Sequence, residues 1–215
     1  MTTLLHIECS PRKHRSASLE AAHGFIERYR HHRPATEVMT LDLWSEPLPD
    51  LDQPAMDAKY AALAGLALSP EQAEAWQRLE ALGAPLLKAD LIVLSVPLWN
   101  FGIPYKLKHF IDLVSHKGIL FEFGPERGLE GLLGGRIAVV TYARGLDFSA
   151  QSATPAERFD FQKPYVEAWL QFVGITEVHS VTVEKTLLGQ DMDEASRRAG
   201  AEQAHALADR LAGQR

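Results

Sequence analysis

Two hydrophobic spacings alternate along the chain. Short apolar, mostly β-branched or aliphatic runs fall at residues 4–9, 91–96, 136–141 and 177–183, with a shorter one at 37–41, the pattern of strands in a parallel sheet. The run at 91–96 is interrupted only by Ser95, as expected of a strand buried on both faces. Between these runs apolar residues recur at three and four, which predicts helices over 19–29, 55–68, 70–88, from 103 onward, 155–173 and 193–211. Ser69, Pro70 and Gln72 form a helix start, with Ser69 as N-cap, Pro70 at the first position and Gln72 closing a capping box. Pro47, Pro49 and Pro54 exclude a regular element over 42–54. Five strands alternating with helices predict a doubly wound α/β fold. With 215 residues, 46% of them hydrophobic, the chain is expected to form one domain over 1–215.

In such a sheet the ligand crevice lies beyond the carboxyl ends of the strands. The third strand leads into Pro97, Leu98, Trp99, Asn100, Phe101 and Gly102, where two aromatics flank an amide. Trp99 and Phe101 can wall a flat ring, and Asn100 can donate to and accept from its heteroatoms. The residues alone leave equal room for a connector whose aromatics cap the core. The first strand runs into a polar loop, residues 10–18, in which Ser10, Ser16 and Ser18 surround the start of a helix. Hydroxyls and free N–H groups at the positive end of a helix make an anion site, to which Arg12, Lys13 and Arg15 add charge; ordinary capping by Ser16 or Ser18 is the competing reading. The chain has neither G-x-G-x-x-G nor G-x-x-x-x-G-K-[ST], so any phosphate site here is for a mononucleotide.

Residues 97–112 read Pro-Leu-Trp-Asn-Phe-Gly-Ile-Pro-Tyr-Lys-Leu-Lys-His-Phe-Ile-Asp. This run resembles the signature P-x-Y-N-F-x-I-P-x-x-L-K-x-x-I-D of the FMN-dependent NAD(P)H azoreductase and quinone reductase family, with Trp99 in place of the usual tyrosine. The resemblance extends over nearly the whole chain. It implies a flavodoxin-like three-layer sandwich with a five-stranded parallel sheet in the order 2-1-3-4-5, which brings the serine loop and the Trp99 loop to one crevice. By resemblance Ser10, Ser16, Ala17 and Ser18 hold the FMN phosphate, and Pro97, Leu98, Trp99, Asn100 and Phe101 the flavin ring. Tyr142, Ala143, Arg144 and Gly145 correspond to a flavin-contacting S-R-G-G turn with one glycine lost. Phe121 and Phe123 fall in a G-x-T-F-x-Y segment, with Leu120 and Phe123 replacing threonine and tyrosine, followed by Gly124, Pro125, Glu126, Arg127, Gly128 and Leu129.

The remaining features narrow the chemistry. With 28 acidic against 22 basic residues the formal charge is -6, which speaks against nucleic acid. The single cysteine, Cys9, excludes an intrachain disulfide and a cysteine-based zinc cluster, and favours a reducing compartment. At the end of a strand Cys9 reads as a small buried hydrophobe sooner than as a reactive thiol. No signal core or membrane-length run is present, so a cytoplasmic chain without membrane contact is expected. None of the nine histidines falls in H-E-x-x-H, and no metal is expected.

The leading expectation is a flavoprotein oxidoreductase in which NADH or NADPH reduces bound FMN by a ping-pong scheme and a quinone or azo compound takes the electrons. The flavin carries the chemistry, so no catalytic residue is assigned. A non-enzymatic electron carrier like flavodoxin, or a scaffold without cofactor that serves in protein interaction, are the alternatives. A homodimer with FMN at the interface is expected, drawing on Trp44, the 55–68 helix, Phe121, Phe123 and Trp169.

Overall fold

The computed structural model describes residues 2–126 and 128–214; Arg127 lies outside them. In chain order the first elements are β1 (Thr3–Glu8), α1 (Ala17–His32), β2 (Glu37–Asp42), α2 (Gln53–Leu63), α3 (Pro70–Lys88), β3 (Leu91–Pro97) and α4 (Tyr105–Val114). A hairpin, β4 (Phe121–Gly124) and β5 (Gly128–Gly131), precedes β6 (Ile137–Ala143), α5 (Ala156–Phe159), α6 (Gln162–Phe172), β7 (Glu177–Val183) and α7 (Gln190–Gly213). β2, β1, β3, β6 and β7 pair in that order, all in parallel. With the hairpin strands set aside, this is the expected 2-1-3-4-5 order.

Alternation along each strand divides the core into two layers. Leu5, Ile7, Ile92, Leu94, Val140 and Tyr142 pack under α3, α4 and α6, against Leu79, Leu86, Leu107, Phe110, Val166 and Leu170. Leu4, Leu91, Val93 and Val139 face α1 and α7, against Phe25, Tyr29, Leu207 and Leu211. β3 is central and its first six residues are buried, whereas the edge strand β2 has no buried residue. That contrast is why the run at 91–96 reads so clearly and the one at 37–41 so weakly.

Helix boundaries follow local chemistry. The capping box at α3 forms as expected, Gln72 N–H donating to Ser69 Oγ (3.3 Å) and Ser69 N–H to Gln72 Oε1 (2.9 Å). The helix expected over 55–68 starts earlier and stops sooner. Asp52 accepts from Ala55 N–H at 3.1 Å, and Pro54 falls in the first turn, where a missing N–H costs nothing. Gly65, at φ +68°, then ends α2 in a Schellman turn, with Leu66 N–H on Ala61 O and Gly65 N–H on Ala62 O.

The single helix expected over 155–173 is two. Pro164 would clash with the carbonyl of Asp160 in a continuous helix. The chain breaks there instead, and Asp160 Oδ1 accepts from Gln162 N–H (3.0 Å) and Lys163 N–H (2.9 Å) to start α6. The glycine-rich stretch over 118–135 contains the antiparallel hairpin, with Phe121 opposite Gly131. It docks on the end of α6, where Phe121 meets Phe172 edge to face at 5.0 Å. A Cβ on Gly131 would stand 2.1 Å from the Val173 carbonyl carbon, so the two main chains touch only because residue 131 has no side chain.

Candidate functional site

The carboxyl ends of β1, β3 and β6 converge beside the start of α1, at the point where the strand order reverses. Cys9 N–H donates to Ser95 O (3.2 Å) and Leu98 N–H to Ala143 O (2.8 Å), so the three loops leave the sheet already tied to one another. They enclose a slot of about 130 Å³. Ser10, Ser16 and Ala17 line it from the first loop, Pro97, Leu98 and Trp99 from the second, and Ala143, Arg144 and Gly145 from the third. Arg12 also lines it, and Thr186, Leu187 and Arg197 close it from the β7–α7 side. A larger cavity, about 320 Å³, lies between α2, α3 and the hairpin, walled by Trp76, Phe121 and Phe123; no loop from the carboxyl ends of the parallel sheet and no helix N-terminus contributes to its lining.

The serine loop leaves the start of α1 without a side-chain cap. Ser16 takes the N-cap position of α1, yet its hydroxyl does not cap the helix; it pairs with Ser18 Oγ at 3.1 Å, both side chains buried. The first-turn N–H groups therefore lack a side-chain acceptor, at the positive end of the helix. Ser10 Oγ accepts from Arg12 N–H at 3.3 Å, which fixes the turn that follows. Of the three basic residues expected to add charge, Lys13 points away, to Glu8 (3.3 Å) and Asp42. Its place is taken by Arg197 from α7, held by Asp193 Oδ1 (2.8 Å), Glu20 and, at 3.4 Å, the carbonyl of Arg15. Nothing in the local sequence of α7 marks Arg197, because only the packing of α7 on α1 brings it here.

The Trp99 loop is a tight turn. Trp99 and Gly102 exchange both main-chain hydrogen bonds, at 3.0 and 2.9 Å, and the two residues between them, Asn100 (φ 45°) and Phe101 (φ 72°), are left-handed. That is the geometry of a type I′ turn, natural for asparagine and strained for phenylalanine. Phe101 is held there by Phe161 N–H on its carbonyl (2.8 Å) and by its ring against Phe159 (5.4 Å), while 45% of its surface stays exposed. Trp99 stands in an aromatic cluster with Trp44 (5.6 Å) and Tyr105 (6.4 Å). Trp44 donates its indole N–H to Cys9 O at 3.1 Å, which holds its ring against Trp99 at the edge of the site.

The third loop brings Ala143, Arg144 and Gly145 to the slot and turns the Tyr142 side chain away from it. Tyr142 is fully buried in the core under α6, its hydroxyl unpartnered, and burial pushes the phenol far above its usual range. Its side chain is not at the slot. Arg144 is likewise enclosed: its guanidinium bonds Gln162 Oε1 (3.2 Å), Glu184 Oε1 (3.0 Å) and Asp160, and lies over Phe148 at 5.1 Å. What 143–145 present to the slot is therefore mainly main chain. A Cβ on Gly145 would stand 2.5 Å from Leu187 Cδ1, so glycine at 145 lets Leu187 fold over the slot. Cys9 is buried and burial drives its thiol pKa far upward, as suits a core hydrophobe.

Comparison with known proteins places this geometry. Residues 2–208 match the model of a family described as having a flavodoxin-like fold. The chain is 68% identical over 212 residues to FMN-dependent NADH:quinone oxidoreductase 3 of Pseudomonas fluorescens, covering 99% of this chain and 98% of that one. It is 52% identical over 190 residues to FMN-dependent NADH:quinone oxidoreductase 9 of Burkholderia lata, covering 88% and 90%. Among solved structures it resembles an azoreductase from Bacillus anthracis, with a TM-score of 0.86 and 29% identity over 98% of this chain and 100% of that one. Among the described residues no helix is long and apolar enough to cross a membrane.

Proposed function

The chain belongs to the flavodoxin-like family, and from that premise we propose that it is an FMN-dependent NADH:quinone oxidoreductase, passing electrons to quinones and azo compounds by a ping-pong scheme. The observation that carries this reading is the pairing, at one crevice, of an uncapped helix start bearing buried serines with an aromatic turn. A phosphate fits the first and a flat heteroaromatic ring the second.

When bound, FMN supplies the redox chemistry, accepting two electrons from NADH and releasing them to the acceptor. The chain's own residues bind and orient. Ser10, Ser16 and Ser18 donate hydroxyls, and Ala17 and Ser18 main-chain N–H groups, to the phosphate, with Arg12 and Arg197 neutralising its charge. Pro97, Leu98, Trp99, Asn100 and Phe101 take the ring edge, Asn100 matching its donors and acceptors. From the third loop, Tyr142 and Arg144 serve by holding residues 143–145 in place, Arg144 through its ion pairs with Asp160 and Glu184. No residue is assigned as acid or base.

A slot of about 130 Å³ is well below the roughly 300–1,000 Å³ of a complete small-molecule site. One chain thus encloses the phosphate end and leaves the ring open. The missing wall is supplied by a second copy of the chain in a homodimer, for which the exposed Tyr60, Leu63, Phe123 and Leu129 on α2 and the hairpin are the apolar material. The setting is cytoplasmic.

The test is spectroscopic and kinetic. Purified protein is expected to be yellow, to lose its colour on acid stripping and to regain it with one FMN per chain. NADH oxidation with a benzoquinone or an azo dye should give parallel double-reciprocal lines. A colourless protein that takes up no FMN overturns the proposal.

A further inference from the structure

On the α1 side of β1, where Leu4 and its neighbours are apolar, the chain places two polar side chains in succession. His6 and Glu8 lie two apart on the strand and so share a face, and His23 reaches them from α1. His6 is buried, Glu8 half-buried and His23 exposed; their donor atoms all lie within 4.8 Å of one another. Glu8 Oε1 faces both rings, His23 Nε2 at 3.6 Å and His6 Nδ1 at 3.9 Å, each too long for a hydrogen bond. Its other oxygen is engaged by Lys13 at 3.3 Å. His6 Nε2 is bonded to the buried Ser95 hydroxyl, which leaves Nδ1 as the nitrogen turned toward Glu8.

We propose that His6, Glu8 and His23 form a binding site for a divalent metal of the zinc class. Two imidazoles and one carboxylate with an open fourth position are a ligand set that zinc uses, and anchoring of one ring through its far nitrogen is the usual support of a metal-ligating histidine. Ligand bonds of about 2.0–2.2 Å bring donor atoms to within roughly 3.5 Å of one another, so the exposed His23 has to swing inward and the Glu8 carboxylate to close on His6 Nδ1, which stands 3.9 Å away. The competing reading is an ion pair between His23 and Glu8 above a buried neutral histidine. Sequence spacing cannot find this set, because His23 meets the other two only through the packing of α1 on β1. The site also brackets the serine loop, Glu8 standing before it and His23 after it.

Untagged protein, treated with chelator and dialysed, is titrated with Zn²⁺ against a chromophoric chelator. One equivalent per chain is expected to bind with a dissociation constant of micromolar or below. His23→Ala, on the exposed face of α1, and Glu8→Gln should each weaken it about 10- to 100-fold. His31→Ala and His32→Ala, on the same helix, should leave it unchanged. Absence of a stoichiometric site, or a site that survives His23→Ala and Glu8→Gln or is lost with His31 and His32, overturns the proposal.

Discussion

Ser16 and Ser18 hold their hydroxyls 3.1 Å apart beneath the first turn of α1, each the other's hydrogen-bond partner. A serine at the N-cap ordinarily turns its hydroxyl onto the helix; here both are kept off it, and the first-turn N–H groups stay without a side-chain acceptor. On the proposed reading, both hydroxyls turn to donate to the phosphate. Replacing both serines with alanine removes two donors, each worth about 1.5–3 kcal/mol toward a charged acceptor. FMN affinity of the apoprotein should fall at least tenfold. An unchanged titration curve would remove the phosphate assignment.

The left-handed pair at 100–101 calls for a particular substitution. Asn100→Leu would delete the amide but also strain the turn, mixing two effects. Asn100→Gly keeps φ 45° without penalty and deletes only the amide. The melting temperature should stay within about 2–3 °C of wild type, since any gain in backbone ease amounts to less than about 1 kcal/mol. FMN should bind more weakly and its absorption bands shift. A glycine variant with wild-type affinity and spectrum would show that the amide does not touch the ring.

Arg144 separates structural from cofactor roles. Its guanidinium serves Gln162, Asp160 and Glu184, and only 5% of it is exposed. Arg144→Ala would leave the buried Asp160 without its cation, a loss of about 3–5 kcal/mol. In urea the unfolding midpoint should drop sharply with or without FMN. A variant of wild-type stability that merely binds FMN poorly would mean that the side chain faces the flavin instead.

These residues also mark what a reader of the sequence can and cannot see. β3 and its loop are legible because a strand buried on both faces must be apolar throughout, and the α3 capping box because all its partners lie within four residues. The break at Asp160 was legible too, in Pro164, but aromatic periodicity at Phe159, Tyr165, Trp169 and Phe172 masks it. The directions of the Tyr142 and Arg144 side chains are not legible, because strand alternation fixes which way each points and a resemblance at a turn says nothing of that direction. Trp44, Leu187 and Arg197 reach the site from distant segments, with no local pattern to announce them. His6 and His23 are of the same kind, joined only by tertiary packing.

The last expectation concerns the second copy. Phe123 stands on the hairpin with 59% of its surface exposed, beside Leu129 on the paired strand, and the hairpin shares a cavity wall with Leu63 of α2. Scattered exposed apolar residues need no explanation, but an aromatic on a strand, opposite another exposed aliphatic and next to an apolar cavity, is a patch. Twofold pairing is the commonest way for identical chains to cover one. Phe123→Asp introduces a charge there without touching either core layer, so the monomer should melt within a few degrees of wild type. Light scattering should move from dimer to monomer mass. The serine cradle lies elsewhere in the chain, so FMN should still bind, while turnover with a quinone falls at least tenfold as the open ring loses its wall. A wild-type protein that is monomeric at assay concentration and turns over fully per flavin would rule out a shared site.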